Sequence, residues 1–336
     1  MRLRSTALAG LILAAVITAA CAGSQTPGSQ TPPPGQLTTV RMVTEWLVPD
    51  PLWVPFVTAV QKGYYKEAGL DVQIQLPPDN ATTVKIVGTG KAEVGLSAIT
   101  DVVFARKEGV PVISVANYSQ TNNWGMFAQA GHPVDIGALK GKAVGVYNDS
   151  WTAAMLPVML KSAGLTMDDV KQVAATSTTI VLLLKNKIDV ATEVTNLGGV
   201  EYETSSGRKP EVLLAKDAGA PDTPIWVYIS NQTWAQQNPD LVKKWLAATK
   251  KGTEYAIAHP EEAVGFFEKA YPDTASSHQY NLAAWEATIP LLQGQNGFFT
   301  QTDQQWTAFT QTLVAAQQLD KALPPSDYYT NAYIGA

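Results

Sequence analysis

Residues Thr38 to Leu76 read TTVRMVTEWLVPDPLWVPFVTAVQKGYYKEAGLDVQIQL, and this stretch decides the fold. Val40, Met42 and Thr44 alternate with the period of two that a strand requires. Leu52, Pro55, Phe56, Ala59 and Val60 then recur at helical spacing, and Val72, Ile74 and Leu76 alternate again. A strand, a helix and a second strand in so short a span form a βαβ unit. Its strands run parallel and its helix covers one face of the sheet.

Working outward, Val94 and Leu96 and the apolar run Val110 to Val115 supply further strands, with a helix over Asp101–Glu108 stopped by Gly109. A second αβ unit starts near Asp135. The pattern predicts a strand over Ala143–Val146 and a helix over Trp151–Ala163, with Ser150 able to cap it and Gly164 ending it. A helix over Ser177–Lys185 and strands over Ile188–Val194 and Val212–Ala215 follow. Ile225–Ile229 reads as one more strand, and the rest is helical, punctuated by Pro239, Pro260, Pro272 and Pro290. Two αβ units with a long helical return imply an α/β fold of two lobes joined by two crossing segments, near Asn117–Phe127 and Lys216–Trp226. Residues 38–121 and 222–336 would form lobe 1 and residues 122–221 lobe 2. Ligands of such sheets bind beyond the carboxyl ends of the strands, here in the cleft between the lobes.

The first twenty residues read as a secretion signal: Arg2 and Arg4 precede an apolar run, Leu8 to Ala20, that is too short to span a bilayer. Cys21 is the only cysteine and follows ITAA, which resembles a bacterial lipobox with Thr18 in place of the usual leucine. It is expected to be lipidated and to anchor the chain on the extracytoplasmic face of the cell membrane. The competing reading is a buried or stray thiol, and a lone exported cysteine has no internal disulfide partner. Residues 21–37 are small, polar or proline-rich apart from Leu37 and read as a flexible tether. Removal of residues 1–20 deletes two arginines and no acids, so the formal charge goes from −5 to −7. A mildly acidic chain without a basic cluster argues against nucleic-acid binding.

At this point the chain resembles a known family. The stretches that carry the resemblance are FVTAVQKGYYKEAGLDV (56–72), GKAEVGLS (90–97), DIGALKGKAVGV (135–146), LVKKWLAATKKG (241–252) and HPEEA (259–263). Together they resemble the solute-binding proteins of the thiamine-pyrimidine-precursor family, which includes riboflavin binders and is related to sulfonate and nitrate binders. The resemblance implies a type II periplasmic-binding fold, a small-molecule ligand, and an ABC permease and ATPase as partners of a monomeric receptor. The family's acid–Trp pair after its first strand corresponds to Glu45–Trp46, and Trp53 lies near the place of a histidine that is absent here.

Candidate ligand residues follow from these positions. Glu45 and Trp46 end the first strand, where an indole can stack on a flat ring; the alternative is a core tryptophan beside a surface acid. Trp53 is as compatible with a core as with a stacking platform. Ser97, Thr100 and Asp101 sit at a strand-to-helix junction, where they can meet a ligand or only cap the helix. Trp124 is expected in a polar crossing loop with little core to join. Tyr147 is a stronger candidate than its neighbours Ser150 and Trp151, which a cap and helix packing can explain. Glu193 and Asn196 end a strand of the second lobe and can satisfy donors on a heterocycle edge. Asp217 can serve a hinge or a ligand. His132, His259 and His278 lack metal-ligand spacing, and no P-loop, nucleophile elbow or cysteine motif is present, so neither a metal, a cofactor nor a catalytic group is expected.

The expected function is capture of a flat heteroaromatic vitamin, riboflavin ahead of the thiamine pyrimidine precursor, with a sulfonate behind both. The ranking rests on the subfamily resemblance with its histidine missing and on a size argument, with which the nine tryptophans and twelve tyrosines are compatible. A sensory receptor subunit and a pyrimidine synthase are the readings from other classes.

Overall fold

The computed structural model describes residues 36–79, 82–175, 178–274, 276–295 and 297–335. The expected signal, Cys21 and nearly all of the tether lie outside the described residues.

Among the described residues ten strands are formed: β1 (Thr38–Val43), β2 (Leu70–Gln75), β3 (Val94–Ala98), β4 (Val112–Asn117), β5 (Trp124–Ala128), β6 (Ala143–Tyr147), β7 (Lys171–Ala175), β8 (Ala191–Val194), β9 (Glu211–Leu214) and β10 (Trp226–Asn231). The first sheet has the order β2-β1-β3-β10-β4, and β10 alone runs antiparallel to its neighbours. The opening βαβ unit is its start: β1 pairs β2 in parallel, with the helix Val54–Gln61 between them. Val40 and Met42 of β1 are fully buried, while β2, at the sheet edge, keeps only Leu70 buried. Leu76, expected to extend the alternation, lies past the strand and is exposed. At the other edge the C-terminal segment runs beside β4, where Ser114 N–H donates to Tyr328 O and Thr330 N–H to Ser114 O, 2.8 and 2.9 Å. This covers backbone groups that would otherwise be a free edge.

The second sheet is built from β8-β5-β9 and β6-β7, which join where Val144 of β6 bridges Val190 just before β8. Two of its strands differ from the sequence reading. β5 lies inside the stretch expected to be a crossing loop, and all five of its residues are buried. Gly125 is what makes it fit: a Cβ there would lie 2.3 Å from Leu213 O of β9. The polar neighbours Asn122 and Asn123 hide this strand from periodicity. β7 is exposed or half-buried along its length and lacks the apolar face by which strands are read.

The chain crosses between the sheets twice, and the crossings are tied together. Thr121 Oγ1 and Asn122 N–H donate to Asp222 Oδ1 at 2.5 and 2.9 Å, and Asn122 Nδ2 donates to Pro221 O at 3.0 Å. After β10 the chain is helical, and Pro239 and Pro260 each open a helix, Pro239–Ala258 and Pro260–Ala270. Pro290, expected as punctuation, instead lies within the helix His278–Leu292. This return does not serve the first sheet alone. Asn196 Nδ2 donates to Thr288 Oγ1 at 2.8 Å, Gln318 Nε2 to Ala154 O at 2.8 Å and Lys161 Nζ to Ala315 O at 3.2 Å. The C-terminal part therefore leans on both sheets. No helix among the described residues is long and apolar enough to cross a membrane.

Candidate functional site

The carboxyl end of β1 delivers Glu45 and Trp46 between the sheets. Glu45 is 7 % exposed, and its Oε2 has no hydrogen-bond partner. Burial is the main force raising its carboxyl well above the usual range, and Asp101 and Asp149 add repulsion. Trp46 is half-buried, and its ring lies 5.9 Å from that of Trp226 at 52°. Tyr118 stands edge-on to Trp226 at 6.5 Å, held by donation of its hydroxyl to Leu52 O at 2.8 Å. An aromatic wall thus stands beside a buried acid.

The opposite wall comes from the second sheet. Asp149, not Ser150, caps the helix Ser150–Ser162: its carboxylate accepts from Thr152 N–H and Thr152 Oγ1, both at 2.7 Å. Ser150 is freed by this and meets Thr100 Oγ1 across the cleft at 2.6 Å. Next to Thr100, Asp101 accepts from Ser97 Oγ at 3.0 Å, and burial lifts its carboxyl to about 6. Glu193 at the end of β8 accepts from Thr179 N–H at 3.1 Å and Thr178 Oγ1 at 3.3 Å, and burial raises it to about 7. Gly198 makes room for it, since a Cβ there would fall 2.6 Å from the Cβ of Glu193. Asp50, beyond Trp46, is likewise raised to about 7 by burial. Tyr280 lies within the field of Asp50, Glu193 and Glu201, so the helix His278–Leu292 starts close to these acids.

The structure thus places Glu45, Asp101 and Glu193 within the field of one group, Asp149, with Trp46 next to Glu45 in the chain and half-buried Tyr147 ending β6. It places the other candidates elsewhere or behind them. Trp53 is fully buried, packed on Phe56 at 5.8 Å and Tyr271 at 5.2 Å, so it serves the core and not the cleft surface. Trp124, expected bare in a loop, begins β5 and is 3 % exposed. Asn196 is fully buried with both amide ends in use, accepting from Asn123 Nδ2 at 2.7 Å and donating to Thr288. Ser97 and Thr100 are fully buried and act through Asp101 and Ser150. Trp151 stacks on Phe309 at 5.7 Å. Asp50, Asp149, Glu201, Trp226 and Tyr280 were missed as site residues. Trp226 and Asp149 sit where a strand begins and where a helix is capped, positions with a sufficient structural explanation in sequence.

Comparison with known proteins agrees with this architecture. The alkanesulfonate-binding protein SsuA of Xanthomonas axonopodis pv. citri, bound to MOPS, superposes with a TM-score of 0.67 at 11% identity, over 88% of this chain and 99% of that one. At such identity the likeness shows the fold, the type II periplasmic-binding fold of two α/β lobes. The formylaminopyrimidine-binding protein of Halalkalibacterium halodurans is 23% identical over 306 residues, 88% of this chain and 90% of that protein. The 4-amino-5-hydroxymethyl-2-methylpyrimidine phosphate synthase THI11 of Saccharomyces cerevisiae is 28% identical over 233 residues, 64% of this chain. The chain spans 66% of that yeast relative, just under two thirds of its length. Residues 50–263 match the NMT1/THI5-like family, and the chain belongs to it.

Proposed function

We propose that this chain is the extracytoplasmic solute-binding subunit of an ABC importer and that it captures a flat aminopyrimidine of the thiamine-precursor class. The observation that carries the reading is the Trp46–Trp226 wall standing beside Glu45, whose carboxyl oxygen Oε2 is buried without a partner. An aminopyrimidine offers a π face to the indoles and amino hydrogens to the acids. The name of the Halalkalibacterium relative supports the same ligand class. Lobe 1 is formed by residues 38–121 and 222–336 and lobe 2 by residues 122–221; the paired crossings are the hinge, and a lipid on Cys21 is the anchor.

Riboflavin, the first expectation from sequence, gives way here. The pyrimidine edge of a flavin presents two carbonyl oxygens around one N–H, whereas an aminopyrimidine presents amino hydrogens that a carboxyl accepts whether ionised or neutral. A sulfonate fares worse among the same acids. The synthase reading draws on the name of the yeast relative, but the three histidines serve other contacts or none in the cleft. His259 packs on Tyr255, His278 pairs with Glu261 and Glu268, and His132 is exposed.

Calorimetry and thermal shift with formylaminopyrimidine, riboflavin and MOPS test the proposal. One-to-one binding of the pyrimidine is expected, with stabilisation of about 2.7 kcal/mol at a hundred times Kd. Trp46→Ala is expected to weaken it about tenfold, from loss of stacking and buried area. Flavin binding without pyrimidine binding would reverse the ligand assignment, and turnover would reverse the class.

A further inference from the structure

Six carboxyl groups gather around this cleft: Glu45, Asp50, Asp101, Asp149, Glu193 and Glu201. Three of them are fixed by hydrogen bonds: Asp101 accepts from Ser97 Oγ, Asp149 from Thr152 N–H and Glu193 from Thr179 N–H. The Thr100–Ser150 contact at 2.6 Å spans the lobes beside Asp101 and Asp149, which repel each other, and Glu45 feels both. Among the described residues no lysine or arginine forms an ion pair with any of the six. The same residues include no cluster placed to hold a metal ion.

Helix N-termini are where an anionic ligand would ordinarily be received. Here three of them are already served by the chain's own acids. Asp149 caps Ser150–Ser162, Asp101 lies in the first turn of Ile99–Lys107, and Glu193 takes Thr179 N–H at the start of Thr179–Leu184. A second observation is of a different kind. Glu45 is 7 % exposed and its Oε2 has no partner, although buried carboxylate oxygens are ordinarily paired.

We infer that the cleft selects its ligand by positive charge, taking a cationic heteroaromatic ring stacked on Trp46 and Trp226 with Glu45 as its charge partner. The inference rests on the aminopyrimidine reading and adds the charge that reading leaves open. An aromatic pair beside acids is the arrangement that favours a cation over a neutral ring of equal size, because the indole faces and the carboxylates attract the same charge. Neutral rings would keep stacking and amino hydrogen bonds but lack this charge attraction, and anions would meet repulsion from the same acids.

Calorimetry at pH 8 on the full chain tests this with three probes that share one aminopyrimidine. They are thiamine, which carries a fixed cationic ring, 4-amino-5-hydroxymethyl-2-methylpyrimidine, which is uncharged, and its phosphate ester, an anion. Thiamine is expected to bind at least tenfold more tightly than the uncharged pyrimidine, and the ester not at all. Added salt should weaken only the cation. Glu45→Gln and Asp149→Asn should each reduce the cation preference; the second keeps a helix cap, so a fold defect in one leaves the other informative. Equal affinities, or binding of the ester, would overturn the charge inference and leave the pyrimidine reading standing. Should none of the three bind, the pyrimidine reading fails, and 1-methylnicotinamide against nicotinamide then decides charge alone. Binding of only the methylated cation upholds the inference; any other result overturns it.

Discussion

Glu45 carries an electrostatic cost in the ligand-free protein. Its carboxyl is raised by burial and then by Asp101 and Asp149. A folded-state pKa above the unfolded value of about 4.3 means that its stability contribution is whole at low pH and is lost as pH rises through the folded value. Glu45→Gln removes that loss. Melting points of the ligand-free parent and variant are expected to coincide near the ordinary carboxylate range and to separate at higher pH, with the variant higher. Its ligand affinity should drop about tenfold to a hundredfold, as for a lost charged hydrogen bond. A parent that stays the more stable at high pH would contradict the assignment. Glu45 and Trp46 were legible in sequence because they end a clearly alternating strand. Trp53 and Asn196 were less so. Helical spacing does not say which face meets the core, and a buried amide whose partners come from Asn123 and Thr288 cannot be told from one awaiting a ligand.

At the scale of elements, the helices Val54–Gln61 and Pro239–Ala258 pack without room for a side chain. A Cβ on Gly252 would lie 2.4 Å from Pro55 O and 2.7 Å from Ala59 Cβ. Gly252→Ala must push the helices apart, at about 1–3 kcal/mol as for other overpacked sites. Chemical denaturation is expected to show that loss while ligand affinity, measured well below the transition, stays as in the parent. The elements that read cleanly from sequence are those with one apolar face and a clear stop, such as Ser150–Ser162 with Gly164 beyond it. β5 and β7 failed in opposite ways. One is buried on both faces behind a run of asparagines, and the other has hardly any buried face at all. Burial does not alternate in β5, and in β7 it alternates only between exposed and half-buried.

For the whole molecule, two αβ units and a returning strand were enough to anticipate two lobes. The contacts of the return were not. Lys161, Asn196 and Gln318 are bonded to partners far away in sequence, and no local pattern announces a helix that leans on both sheets. The asymmetry of the cleft was hidden for the same reason. Each acid has a local excuse, as cap or strand end, and only their assembly makes the region anionic.

The hydroxyl pair Thr100–Ser150 joins the lobes beside the cleft, and neither residue belongs to the aromatic wall that would choose the ligand. A single hydrogen bond of this kind is worth about 1 kcal/mol, or roughly fivefold in the ratio of shut to open molecules. Thr100→Val is therefore expected to shorten the dwell time of bound ligand about fivefold in stopped-flow dissociation, with its order of preference among ligands unchanged. Selection and timing would then reside in different side chains, so the interval before handover to a permease could drift in evolution without altering what is carried.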